Sequence, residues 1–422
     1  MPELEEALRA YGERLAELVD DGTTAVTEPS GSRGRHRVVL VAACIAILGA
    51  LVALVARRDE PVSLEPPAGE GAPAEPTGDD LVGAWTALPT RLGDGDREPA
   101  LLVTDDGLIN LHAENGGNDV AGEIWAVGAD ETTPFAPSGM VSRAYPSVAW
   151  TGTEMVMAGG SNGPGVTPLA AAYDPATDQW RGLPDPPGIA TGQSRNQMTD
   201  GVWTGSELIS WKSALAYRPA SESWRTIEPS PLSERSWAAV VATGEGVFVW
   251  GGCSPLPTSK CDEVSGEDEL TDGAMYDPQT DRWRGVAPSP LGPGDHPTAV
   301  WTGKEVIVNV PSPADPDSPD TAAYDPTTDS WRALPSSPHP AGRYVEAVWT
   351  GRFLVVHGGV GADGRPSGAT SLLDPEREQW QRLPDGPPRG PHSMVAIDPT
   401  SVVVAGGYSD ASPWLLEFDE PE

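Results

Sequence analysis

Five residues ahead of a recurring Trp-Thr-Gly triplet, the chain carries side chains suited to binding. The triplets begin at Trp150, Trp203, Trp301 and Trp349, with Ala242-Thr243-Gly244 as a variant. Five residues earlier stand Tyr145, Met198, Trp237, His296 and Tyr344, and His392 holds the equivalent place near the C-terminus. Arg143, Arg195, Arg235, Arg343 and Arg389 come just before them, Glu346 follows Tyr344 two residues on, and Arg97-Glu98 is the earliest counterpart. Aromatic rings stack on the apolar faces of sugars, and guanidinium forks grip carboxylates and hydroxyls. The same arginines and histidines also suit a structural part, bonding neighbouring units of the fold to one another.

Other chemistries fail on spacing. Gly359, Gly361 and Gly364 have the GxGxxG spacing, but a strand rather than a helix follows, so no phosphate cradle is expected. The acidic stretches 262–272 and 313–320 lack the ligand spacing of a calcium loop. Six histidines, none in a close pair, give no zinc signature, and no metal or other cofactor is expected. A formal charge of −35 argues against a nucleic-acid partner, because nothing would neutralise phosphate.

The elements that position these residues show as a repeat. Tyr173, Tyr217, Tyr276 and Tyr324 each lie seven residues before a tryptophan: Trp180, Trp224, Trp283 and Trp331. Leu373 holds that place before Trp380, Trp125 lies 48 residues before Tyr173, and Phe418 lies 45 after Leu373. Seven occurrences at intervals of 44 to 59 residues make this an internal repeat. Within a unit the order is an apolar run, Thr-Gly, a second apolar run, a glycine pair (159–160, 251–252, 358–359, 406–407), then Tyr-Asp-Pro and Trp. Thr-Gly suits a tight hairpin, and Asp-Pro a second turn whose carboxylate caps backbone N–H groups. Gly 48, Pro 45 and Trp 15 agree with a turn-rich all-β chain.

Four short strands per unit, repeated around a ring, are a β-propeller blade. Paired glycines after the second strand, Tyr-Asp in the third and Trp at the fourth resemble kelch repeats, over about residues 82 to 419. The copies differ: the first unit has no tryptophan in the expected place, Arg218 replaces Asp in the third, and two units lack the glycine pair. The last unit stops one strand short, and the orphan "AWTALP" at 84–89 resembles "SWRALP", so it is expected to supply the missing outer strand. Seven blades are therefore expected, with six as the alternative count.

The kelch resemblance implies that the loop entering each innermost strand lies at one mouth of the central channel. The residues five before each triplet would then crowd that mouth, with the insertions 251–273 and 311–320 rising on the same face. The resemblance implies a non-catalytic propeller that binds a glycan or a protein partner. The alternative is an enzyme acting on an acidic sugar, similar to kelch-type sialate epimerases or to sialidases, using Arg235, Arg343 and Glu346. Galactose oxidase, whose central domain is kelch-like, uses a cysteine cross-linked to tyrosine and two histidines, which this chain does not offer in that arrangement.

Ahead of the propeller (81–419), residues 1–37 carry an apolar helical stripe of Leu4, Ala7, Leu8, Tyr11, Leu15 and Leu18. The run Val38 to Ala56, 19 residues without a charge and closed by Arg57 and Arg58, reads as one uncleaved membrane-spanning helix. Residues 57–80 form a Pro-rich acidic linker. Arg33, Arg35 and Arg37 against Arg57 and Arg58 bias the N-terminus slightly to the cytoplasm. Cys253 and Cys261 share one loop of an otherwise cysteine-free domain, which suits a disulfide in an oxidising, extracytoplasmic compartment. The composition, rich in Ala, Gly, Pro and Asp, suits a bacterial cell-surface protein.

Overall fold

A computed structural model describes residues 82–88, 100–105, 107–114, 119–138, 146–160, 170–188, 201–254, 269–313, 320–407 and 412–419. The amphipathic stripe, the run 38–56 and the linker lie outside them. Among the described residues no helix is long and apolar enough to cross a membrane. The only helix there is a single 3-10 turn at Pro219–Ser221.

The strands form seven antiparallel four-stranded sheets and one short ribbon, Gly294–Asp295 with Ser312–Pro313. The innermost strands are Ala100–Thr104, Ser147–Trp150, Gly201–Trp203, Ala239–Thr243, Thr298–Trp301, Arg343–Trp349 and Ser393–Asp398. Each lies against the next, and the last returns to the first, so the sheets are the blades of a closed ring. Blade 7 borrows its outer strand from the other end of the domain: Gly83–Ala87 pairs with Trp414–Phe418, Trp85 opposite Leu416. The orphan segment thus fills the gap expected of it, and the count is seven. Closure leaves the innermost edges short and turned to the central channel, where another chain has little room to pair.

The apolar runs are continuous rather than alternating because the second and third strands of a blade are covered on both faces by neighbouring blades. Met155–Ala158, Gly246–Trp250 and Ser401–Ala405 are buried at every residue. The core is divided accordingly: seven apolar clusters each span one blade interface, including that between blades 7 and 1.

The repeated phrase is the latch across these interfaces. Indole N–H groups donate to a carbonyl of the preceding blade: Trp180 to Ala136 at 2.7 Å, Trp224 to Pro184 at 2.7 Å, Trp283 to Glu228 at 2.7 Å, Trp331 to Ala287 at 2.8 Å and Trp380 to Pro335 at 2.8 Å. Trp85 makes the same bond to Pro384 at 2.9 Å, which shows that the borrowed strand is locked in like the others. The residue two before the tryptophan takes a left-handed conformation, φ 53° at Asp178, 53° at Asp281 and 50° at Asp329. That bend aims its carboxylate at a backbone N–H of the same preceding residue: Ala136 at 2.8 Å, Glu228 at 2.9 Å and Ala287 at 3.0 Å. The carboxylate also accepts the blade's own tyrosine hydroxyl, as in Tyr324 to Asp329 at 2.7 Å. The first aspartate of the phrase caps its turn, Asp325 accepting the Thr327 N–H at 2.8 Å.

Trp331→Phe keeps a ring but loses the bond to Ala287, and should cost about 1 kcal/mol in urea unfolding. Asp329→Ala removes a half-exposed acceptor of several bonds and should cost on the order of 1 kcal/mol after solvent screening. Wild-type stability in both would refute the latch.

Candidate binding face

Three of the residues five before a triplet come together. Trp237, His296 and Tyr344 enter blades 4, 5 and 6, and their rings gather at one mouth of the ring: Trp237 to His296 at 4.6 Å, His296 to Tyr344 at 4.7 Å, Trp237 to Tyr344 at 6.1 Å and edge-on. All three backbones are left-handed, φ 57°, 48° and 59°. A bulky L-residue rarely takes that conformation, which costs roughly 1–2 kcal/mol per residue. Nothing in the sequence signals it, because these are not glycine, asparagine or aspartate. His296 is buried and Tyr344 half-buried, while Trp237 is 37% exposed, one of the few large apolar side chains so open among the described residues.

The glycine pair explains how Trp237 is held. Ser236 and Cys253 exchange backbone bonds of 2.8 and 2.9 Å on either side of the bend. A Cβ on Gly252, at φ 89°, would stand 2.5 Å from the Ser236 carbonyl oxygen. The pair lets the second strand pass under the aromatic loop. Cys253 is disulfide-bonded, and Cys261 lies outside the described residues.

The arginines divide. Arg235, expected at the mouth, is 2% exposed and turned inward. Its guanidinium donates to the Gly251 carbonyl at 3.1 Å, to Asp272 Oδ1 at 2.9 Å and Oδ2 at 3.1 Å, and to the Ser233 hydroxyl at 3.1 Å. Arg389 is likewise buried, donating to the carbonyls of Gly406 and Ser412. Both therefore bond the first glycine of their own blade's pair and brace the loops. His392 is buried as well, its Nδ1–H donating to the Gly390 carbonyl at 2.7 Å. Arg343 and Glu346 sit half-buried on the innermost strand of blade 6. Arg143, Tyr145 and Arg195 lie outside the described residues.

Sequence reasoning missed two histidines of this frame, His339 and His357. His339 Nε2–H donates to the Gly358 carbonyl at 3.1 Å, taking in blade 6 the part that Arg235 and Arg389 take in theirs. His357 is fully buried, 2.9 Å from the Thr370 hydroxyl and edge-on to His392 at 5.4 Å. The signal was its place directly before a glycine pair. Burial pushes all three histidines down, His392 to about 4.

Ring, latch and mouth define a seven-bladed β-propeller whose aromatic opening is built from three successive blades. Compared with models of known protein families and with curated proteins, the chain matches none.

The histidines set a pH dependence. Their folded pKa values lie below the ordinary value, so the unfolded chain binds more protons as pH falls. Stability is then complete above about pH 6.5 and lost toward pH 4, with His392 contributing on the order of 3 kcal/mol. Carboxylates held low, such as Asp281 and Asp329, remain ionised down to the ordinary carboxylate range, so the loss between pH 7 and 5 belongs to the histidines. Urea midpoints measured at pH 7.0, 6.0 and 5.0 should fall steadily, and a flat profile overturns this account.

Proposed function

We propose that the protein is a kelch-type binding propeller that recognises a glycan through the mouth carrying Trp237, His296 and Tyr344. The observation that supports this best is the trio itself. Three adjacent blades each hold an aromatic residue in an unfavourable backbone conformation, and the rings meet where one of them opens to solvent. Strained residues persist where the surrounding structure holds them in place, and they cluster at binding and catalytic sites. An open indole face backed by two further rings suits the apolar face of a sugar, with Arg343 beside it for hydroxyl or carboxylate groups. A protein partner at the same mouth is the other occupant the sequence leaves open.

The propeller is held outside the cytoplasm by a membrane span over 38–56, with the N-terminus inside. This rests on the uncharged run in the sequence and on the disulfide-bonded state of Cys253, which suits an oxidising compartment. The reading as an acidic-sugar enzyme loses Arg235, whose guanidinium is buried against Asp272.

The protein should bind a subset of a glycan array. Trp237→Ala and Tyr344→Ala should each weaken that binding at least about tenfold, the usual scale for losing a stacked aromatic anchor. Trp237→Gly should also lose binding while stability stays within about 1 kcal/mol, because relief of backbone strain offsets the lost ring contacts. Binding unaffected by these changes, or a large loss of stability in Trp237→Gly, would sink the proposed mouth. A protein partner lost in Trp237→Ala with no glycan bound would reassign the occupant.

A further inference from the structure

Blades 2 to 5 each carry an arginine directly after the outer-strand tryptophan: Arg181, Arg225, Arg284 and Arg332. Strand register places them opposite Ala172, Ala216, Met275 and Ala323. Each runs across the base of its blade toward a glutamate in that blade's first hairpin. Arg181 reaches Glu154 at 2.7 Å, Arg225 reaches Glu207 at 2.7 Å, Arg332 reaches Glu305 at 3.0 Å, and Arg284 stands 4.0 Å from Glu245. The guanidinium then crosses to the next blade. Arg225 meets the Tyr276 hydroxyl at 3.2 Å, and Arg284 meets the Tyr324 hydroxyl at 2.9 Å and the Pro326 carbonyl at 2.8 Å. Arg181 reaches Glu222 at 3.2 Å, and Arg332 reaches Glu378 at 2.6 Å.

Blades 1, 6 and 7 carry no arginine there: Gln381 stands opposite Leu372 in blade 6 and Thr86 opposite Leu415 in blade 7. In blade 1 the register sets Thr133 opposite Ile124, so a short, exposed side chain stands in the arginine's place. A cleft of about 600 Å³ occupies the space between blades 1 and 2. Its floor is Ile109, Ile124 and Trp150, and Asp105, Asp174 and Pro175 stand at its rim, with Glu154 already held by Arg181 and Asp174 accepting the Ala176 N–H and the Thr177 hydroxyl of its own turn, each at 2.9 Å. Ile124 corresponds to the Met275 that underlies Arg284, and Pro175 to the Pro326 whose carbonyl Arg284 binds. At the same interface Tyr173 donates to Asp178 at 3.0 Å, as Tyr276 does to Asp281 and Tyr324 to Asp329. Burial and Asp178 push the Tyr173 hydroxyl up, whereas Arg225 and Arg284 pull the other way at Tyr276 and Tyr324.

We infer that this cleft receives the guanidinium group of an arginine side chain, presented by a peptide segment of a partner protein. Its apolar floor takes the aliphatic stem, and the Asp105 carboxylate and the Pro175 carbonyl take the planar fork. Four internal copies hold a guanidinium in the corresponding place, and the chain's charge of −35 draws basic segments toward it. The cleft lies at the base, where the Trp-Thr-Gly hairpins are, and is independent of the aromatic mouth.

The test is saturation-transfer NMR and calorimetry with N-acetyl-arginine amide, its lysine counterpart and a short arginine-containing peptide. The arginine probes should bind saturably and the lysine amide at least about fivefold more weakly, since a point charge cannot form the fork. Thr133→Arg supplies the missing side chain, so it should weaken binding at least about tenfold while the unfolding midpoint stays or rises. Asp105→Asn should weaken binding about threefold or more, and Trp237→Ala should leave it unchanged. Equal binding of arginine and lysine, no saturation, or full binding by both Thr133→Arg and Asp105→Asn overturns the inference.

Discussion

The structure depends on one bond repeated around the ring, the indole N–H in the outer strand of blades 2 to 7 donating to a carbonyl of the blade before it. A four-stranded blade alone would expose both faces of its two central strands. Stacking buries those faces, and apolar contact has little directional preference. The indole bond, joined in blades 2, 4 and 5 by the left-handed aspartate that caps the same preceding residue, supplies direction: it sets how far one blade is rotated against the last. Only a rotation repeated to a full turn lets the seventh blade meet the first.

Once the latch fixes the ring, the two faces become chemically different. One end carries the short hairpins, the capped turns and the arginine ladder, where charges answer charges. The other carries the entries to the innermost strands, braced by guanidinium or imidazole groups on the glycine carbonyls. Arg235, His339 and Arg389 do the same bracing with different side chains, which is why the residues recurring at this position were hard to read as either ligand or strut. The three left-handed aromatics rest on that bracing.

Much of the fold was legible because repetition compares the chain with itself. Tyrosine and tryptophan at a spacing of seven, the Thr-Gly and glycine-pair turns, and the orphan "AWTALP" gave blade number and closure before any coordinate, since each mark has a local cause. The site was legible only as a place. Sequence put Arg235, Trp237 and His392 in one category, and burial separates them: a guanidinium facing its own backbone looks like one facing solvent when only spacing is known. The left-handed backbones had no signal, being imposed by the loops. The missing tryptophan of blade 1 was visible as a departure from the repeat, but the missing arginine showed only through the cross-strand register.

The borrowed strand Gly83–Ala87 carries a consequence for biosynthesis. It emerges from the ribosome before every other blade strand, yet its partner Trp414–Phe418 is made more than 300 residues later. At roughly 5–20 residues per second it waits tens of seconds unpaired. It is short, and its residues stay partly or fully exposed even in the finished ring, so it offers other nascent chains little to bind meanwhile. Ring completion therefore waits until translation has passed Phe418, and a ribosome that stalls before that point leaves a chain whose first and last blades both lack a neighbour.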